Sequence, residues 1–436
     1  MKKTRFMGGI ATLAAVALSL TACGGGGLDN AEGSESEGAG NAGGPSVPVG
    51  ASKEEFIAAF EDVEPIELDF QMASSDPMGF TGKRDQAWAE YIEEYSGGKI
   101  TINVHPVGTI AAPTDVPQAL EDGRLDIANY FGTYEPAAMG AFVDLTKSLV
   151  QQPSSPLVGE LVTQAVLLDV GFQTPEVIAN YEDRGMHVLH PGVPSGNTTM
   201  MCVEDKQSAS DWQGKQVRGN AQAHEVQVAA LGGTLTSVEL AEGYEALERG
   251  VLDCSLNATG TGVNVGWVEV APFIKLPREA SFAPGPGSMV VGSVWEDLPL
   301  AAQQLMFDAL EGYISGEHFN AVTSVAIAGE ATQENGGSLE YLDEESEAAL
   351  VEANEGILEE VENSTNLDGV ELNKKVAASV EKWTAIAEEL GYEETGEAVD
   401  FADWYEGSLD FEDQEYLRPF AERIYEEVIV PVRPGE

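Results

Sequence analysis

Lys215 and Arg218 stand three residues apart in the stretch GKQVRGN, residues 214–220, in a chain with only 22 Lys and Arg against 74 Asp and Glu. A guanidinium is a rigid two-pronged donor that matches a planar carboxylate, whereas an ammonium is a compact point charge. A cation at this place either pairs with a neighbouring acid or holds an anionic ligand. The formal net charge of -52 repels anions at long range. Screening cuts that repulsion off beyond about 8 Å at physiological ionic strength, so a local cation decides. The same charge, spread along the whole chain, argues against nucleic acid as a partner and against adsorption to anionic lipid.

Other chemistry is sparsely represented. The five His (His105, His187, His190, His224, His318) show no metal-ligand spacing, and no G-x-S-x-G nucleophile elbow is present. Cys202 and Cys254 have no base near them in sequence; an exported location allows them to pair, subject to geometry. The reading is therefore a protein that is not an enzyme and that carries neither metal nor cofactor.

The elements that would position Arg218 come from an internal echo. ALEDGRLD (119–126) recurs as ALERGVLD (246–253). Upstream of the first copy, PIELDFQMA alternates as a strand, the next segment places Ala87, Trp88, Tyr91, Ile92 and Tyr95 on one helical face, and KITINVHPVG alternates again. Upstream of the second copy the order repeats as KQVRG, NAQAHEVQVAALGG and TLTSV, with Thr236 and Glu239 at capping-box spacing before the next helix. Two such units predict an α/β fold with largely parallel sheets and right-handed crossovers, a two-lobed periplasmic-binding-protein-like clamshell with a hinge and an extended C-terminal helical region.

Ligands of open α/β sheets gather at the carboxyl ends of the strands. The pattern puts four loops there: Ala73–Asp76, Asn129–Tyr134, Arg218–Asn220 and Asn257–Thr261. The candidate ligand-binding residues are Arg218, Asn257, Asn220, Ser75, Asp76, Tyr130, Tyr134 and Trp267, with Phe131 and Asn264 nearby. For each aromatic, core or hinge packing competes with ligand stacking. Lys215 falls on the strand face opposite Arg218 and is expected to face solvent.

The ends complete the domain plan. Residues 1–23 combine a basic start, an apolar run of about a dozen residues and LTAC, the layout of a lipoprotein signal with Cys23 as the acylated residue. Residues 24–55 are Gly- and Ser-rich and are expected to form a disordered tether. The first lobe is expected over 56–185, the second, with crossover segments, over 186–295, and helices packing across both over 296–436. This places the folded body outside the cytoplasmic membrane, lipid-anchored to its outer face or on the periplasmic side in a two-membrane cell.

The stretch SASDWQGKQVRGNAQAHEVQVAALGGTLTSVELAEGYEALERGVLDCSLN, with EYSGGKITINVHPVGTI, ALEDGRLDIANY and VWEDLP in support, resembles the solute-binding subunits of tripartite ATP-independent periplasmic (TRAP) transporters, the dicarboxylate-binding type. The resemblance covers roughly residues 64–310. It implies that Arg218 anchors a substrate carboxylate, that Asn257 fixes ligand orientation, and that the membrane subunits of a TRAP transporter are partners. A second Arg found in some members is replaced here by Gly196 or Asn197, within PSGNTTMMC. One Arg among several aromatics suits a monocarboxylate or a zwitterionic solute as readily as a dicarboxylate. The binding lipoprotein of an ATP-driven importer, or of a sensory system, is the alternative reading.

Overall fold

A computed structural model describes residues 44–194 and 196–435. The expected signal segment, Cys23 and most of the expected tether lie outside the described residues. The order expected to begin at 56 begins earlier. Val47 is buried and its N–H donates to Gln304 Oε1 at 2.7 Å. Ser52 then caps helix α1 (Lys53–Ala59) in a reciprocal capping box with Glu55, and Phe56 and Phe60 bury beneath it. The box satisfies donors that a helix start leaves open, which a reading of composition alone passes over.

In the first lobe, β1 (Ile66–Gln71) buries Leu68 and Phe70, and α2 (Phe80–Tyr95) buries Trp88 and Ile92 against it. The chain continues through β2 (Ile100–His105), α3 (Val116–Glu121), β3 (Ile127–Tyr130), α4 (Gly140–Ser148), α5 (Val158–Phe172), α6 (Pro175–Glu182) and β4 (His187–Val193). In the second lobe, β5 (Thr198–Cys202), β6 (Gln216–Arg218), α7 (Ala223–Leu231) and β7 (Thr234–Thr236) are followed by α8 (Gly243–Glu248), β8 (Cys254–Ala258), α9 (Thr259–Asn264), α10 (Trp267–Val270) and β9 (Phe273–Leu276). Gly232 closes α7 at φ 95°, the left-handed cap conformation that glycine adopts without a Cβ penalty. Beyond lie β10 (Gly287–Val291), α11 (Leu300–Asp308), α12 (Leu310–Glu334), β11 (Ser338–Tyr341), α13 (Glu344–Glu362), α14 (Gly369–Glu389), α15 (Phe401–Trp404) and α16 (Arg418–Ile424).

The first sheet runs β2-β1-β3-β10-β4, and the second β11-β9-β5-β8-β6-β7. Each contains a parallel set, β2-β1-β3 in the first and β8-β6-β7 in the second, with one antiparallel crossover strand beside it, β10 and β5 respectively. This is a two-lobed clamshell. The boundaries differ from those expected. β4 and β10, inside the span 186–295 assigned to the second lobe, belong to the first sheet, and β11, inside the helical region, belongs to the second. The chain crosses between lobes from β4 to β5 and again from Phe282, bridged to Thr198, to β10. A linear boundary is not possible for strands that swap sheets.

Helix α12 packs against α2 and α5 of the first lobe and against α9 and α10 of the second. Among the described residues no helix is long and apolar enough to cross a membrane. Cys202 and Cys254 are register partners on antiparallel β5 and β8 and form a buried disulfide. The capping box expected from Thr236 and Glu239 is not formed. Thr236 ends β7 and its hydroxyl donates to Gln216 Oε1 at 2.7 Å, while Glu239 makes no side-chain cap.

Candidate ligand-binding site

Arg218, Ser255 and Asn257 lie on one face of the second sheet because β6 and β8 are parallel, with Arg218 in register with Ser255, and side chains two apart on a strand share a face. The opposite face carries Val217, Cys254 and Leu256 into a separate apolar cluster. Arg218 is the last residue of β6 and is almost wholly buried, at 1% exposure. Its Nε donates to the Val238 carbonyl at 2.9 Å, and its guanidinium carbon lies 5.2 Å from the ring centroid of Trp267. From the first lobe Tyr134 comes close enough to the same guanidinium for the two groups to act on each other electrostatically.

Nη1 of Arg218 is buried and has no hydrogen-bond partner among the described residues. Burial lowers the Arg218 pKa, while Tyr134 and Glu239 act in the opposite direction. Burial likewise raises the Tyr134 pKa against the effect of Arg218. A guanidinium without an opposed carboxylate in contact is a costly arrangement, and an anion at Nη1 would relieve it.

Asn220 and Asn257 meet beside this cation. Asn220 Nδ2 donates to Asn257 Oδ1 at 3.4 Å, and Asn257 Oδ1 also accepts from the Ala258 N–H at 2.8 Å. Among the described residues Asn220 Oδ1 is buried without a partner, as are Trp267 Nε1, Ser255 Oγ and Thr198 Oγ1. His224 supports the loop: Nδ1 accepts from the N–H groups of Asn220 and Ala221 at 3.2 and 3.3 Å, and Nε2 donates to the Ala283 carbonyl at 2.8 Å. Two accepted bonds at Nδ1 require the neutral ring, and burial lowers the His224 pKa to about 4. Gly285 sits so close that a Cβ there would come within 2.6 Å of the Asn220 amide.

The structure thus brings Arg218, Asn220, Asn257, Tyr134 and Trp267 together, and leaves three candidates elsewhere. Ser75 and Asp76 are exposed, and Asp76 Oδ1 accepts the Met78 N–H at 2.9 Å, a local turn contact. Tyr130 turns into the first-lobe core, where its hydroxyl donates to Glu135 Oε2 at 2.6 Å, and Arg184 grips the same carboxylate at 2.9 and 3.0 Å. That ion pair is internal and accounts for the Tyr130 hydroxyl. Lys215 pairs with Asp253 at 3.1 Å, away from the site. Ser255, Thr198 and His224 were not singled out; Ser255 could have been reached from the period-2 pattern shared with Asn257.

Gly196 and Asn197 bring no second cation to this group. Gly196 has φ 103°, and a Cβ there would lie 3.3 Å from the Glu160 carboxylate. The Asn197 N–H donates to both Glu160 oxygens at 2.8 and 2.7 Å, and its Oδ1 accepts from Gln152. Glu160 is fully buried and its pKa is raised well above the usual carboxylate range by that burial.

A two-sheet clamshell with buried, unpartnered polar atoms converging from one lobe under a residue of the other defines a solute-binding fold. Residues 73–365 match the family model of the bacterial extracellular solute-binding proteins, family 7 (DctP), and the chain belongs to that family of substrate-binding proteins. No curated protein matches the sequence. Among solved structures, the periplasmic ectoine-binding protein of the TeaABC TRAP transporter of Halomonas elongata is 18% identical, the match covering 72% of this chain and 99% of that one with a TM-score of 0.59. DctP7 of Bordetella pertussis, an extracytoplasmic solute receptor binding pyroglutamic acid, is 17% identical over 71% and 99% with a TM-score of 0.60. A TRAP periplasmic solute-binding protein of Haemophilus influenzae RdAW with bound L-gulonate is 14% identical over 72% and 99%, also at 0.60. At these identities the likeness is one of fold.

Proposed function

We propose that this protein captures a small solute bearing one carboxylate between its lobes, outside the cytoplasmic membrane, and delivers it to a TRAP-type secondary transporter. The observation that carries the reading is the buried, unpartnered Nη1 of Arg218 at the seam between lobes. A carboxylate there would take Nη1, with Trp267 Nε1 as a further donor within the same group, while Asn220 Oδ1 would accept from an N–H or O–H elsewhere on the solute. Gly196 and Asn197 supply no second cation, so a second carboxylate would be buried without a counter-charge. Ectoine and pyroglutamic acid, bound by two of the similar structures, each combine one carboxylate with a ring N–H.

Calorimetry tests this with ectoine, pyroglutamate, gulonate and a four-carbon dicarboxylate, against the wild type and Arg218→Ala. The expected result is binding of at least one monocarboxylate or zwitterion by the wild type and loss in the variant. Equal binding by both, or preference for the dicarboxylate, overturns it. The basic start and LTAC motif support acylation of Cys23 as the means of retention at the membrane. Cys23→Ser should then release the protein from the membrane fraction; unchanged fractionation overturns this part alone.

A further inference from the structure

Residues 392–417 lie beyond the segment 73–365 matched by the family model. They run from the first lobe to the second and back within a short length of chain. At the first-lobe end, Glu394 Oε1 accepts the N–H groups of Leu157 and Val158, at the start of α5, at 3.1 and 2.7 Å. Three residues later, Glu397 pairs with Arg278 at 2.8 Å and the Ala398 N–H donates to the Tyr341 hydroxyl at 2.9 Å. The Arg278 guanidinium lies over the Tyr341 ring at 3.7 Å. Arg278 follows β9 and Tyr341 ends β11, so both belong to the second lobe.

The apolar side chains divide in the same way. Ala398 and Val399 pack on the second-lobe cluster of Leu339 and Ala328, whereas Phe401 is buried in the first-lobe cluster. Ala402 meets Gly329 on the second-lobe half of α12, and the segment then returns, with Phe411 stacked on Phe80 and edge-on to Phe319. The strap therefore crosses α12, the helix that itself spans both lobes.

The position matters for motion. β9 and β11 are parallel to β8, so Arg278 and Tyr341 lie at the same sheet end as Arg218 and Asn257, facing the first lobe. The sheet order β11-β9-β5-β8-β6-β7 puts them on the other side of the crossover strand β5. A hinge rotation about the crossover that opens the Arg218 side must shift the strap side as well.

We infer that residues 392–417 are a strap that ties the lobes behind the crossover and holds them in the closed arrangement, so that opening requires the Glu397–Arg278 and Ala398–Tyr341 contacts to give. A ligand then binds a protein whose open fraction is set by this strap, and weakening the strap lowers the closed fraction. The inference rests on the two-lobed fold and not on which solute is bound.

The test is interlobe distance by pulsed electron paramagnetic resonance, with spin labels at Met78→Cys and Glu242→Cys, both exposed and after the carboxyl ends of β1 and β7. Without added solute, Arg278→Gln/Tyr341→Phe should shift the distance distribution to longer values than the unmodified strap gives. Glu397→Gln, an exposed change that touches no core, should shift it in the same direction by less. Identical distributions for the strap variants and the parent overturn the inference, whatever calorimetry says about ligands. If the double variant does not fold, Glu397→Gln decides. Where a ligand is in hand, its Kd should rise about 3- to 10-fold in the double variant, the change expected from a smaller closed fraction.

Discussion

The Arg218 guanidinium lies 5.2 Å from the ring centroid of Trp267, with Trp267 itself wholly buried. The ring offers its electron-rich face to a cation that has lost most of its water. The stack and the Nε bond to the Val238 carbonyl fix the guanidinium plane and leave Nη1 free of protein partners among the described residues.

Arg218→Lys keeps the charge but loses the planar fork and the stack. Both it and Arg218→Ala should weaken ligand binding by about 2 kcal/mol or more, roughly 30-fold, by calorimetry. Lys215→Ala, on the surface beside Asp253, should leave affinity unchanged. An equal loss at both positions would place the effect in general electrostatics instead.

Tyr134 of the first lobe acts electrostatically on Arg218. Tyr134→Phe removes only the hydroxyl, so affinity should fall by about 1 kcal/mol, roughly 5-fold, while the melting temperature changes little. Gly285→Ala should act from the other side. Its Cβ would push on the Asn220 amide, lowering affinity with the sheets intact.

His224 predicts a pH dependence. Its folded pKa is lowered to about 4 by burial, against an ordinary value near 6.5, so protons bind the unfolded chain more readily. This stability is fully present above pH 6.5 and is lost as pH falls towards 4, a change of about 3 kcal/mol in all. His187, also lowered to about 4, and His318, lowered to about 3, contribute with the same sign. Glu160, raised by burial, has the opposite sign and loses stability as pH rises above its unfolded value. His224→Gln isolates one contribution: the stability gap between wild type and variant should narrow from pH 7 to pH 5 in thermal melts, and a constant gap would refute it.

The disulfide between Cys202 and Cys254 closes a chain separation of 52 residues across two strands that already pair. The loop-entropy model gives about 4 kcal/mol for such a loop. Reduction, or Cys202→Ala/Cys254→Ala, should lower the melting temperature with the unfolding of the second lobe first in hydrogen exchange. Uniform loss across both lobes would contradict this.

Local pattern carries the elements because strand alternation and helix periodicity report which face of each segment is buried. The repeated ALE-x-G-x-LD segments and the strands around them therefore announced two α/β halves, and QVR followed by a helix placed Arg218 at a strand end. The family and the class of fold follow from that order. Short-range pattern also misled: Thr236 and Glu239 have capping spacing, but pairing of β7 with β6 takes Thr236 into the sheet.

Whether a strand end belongs to the site is a matter of distant partners. Asn129–Tyr134 forms one loop in sequence, yet Tyr130 is drawn to Glu135 and Arg184 while Tyr134 faces the electrostatic field of Arg218. The same holds for β4 and β10, which return to the first sheet from within the second lobe's span, and for the strap whose neighbours Val399 and Phe401 enter different cores. Each outcome depends on segments that are separate in the sequence competing for the same space and hydrogen bonds. The sequence alone determined which segments are strands and helices and that Arg218 would stand at a strand end; only the tertiary structure decided its burial and what surrounds it, because those contacts join segments with no local signature of each other.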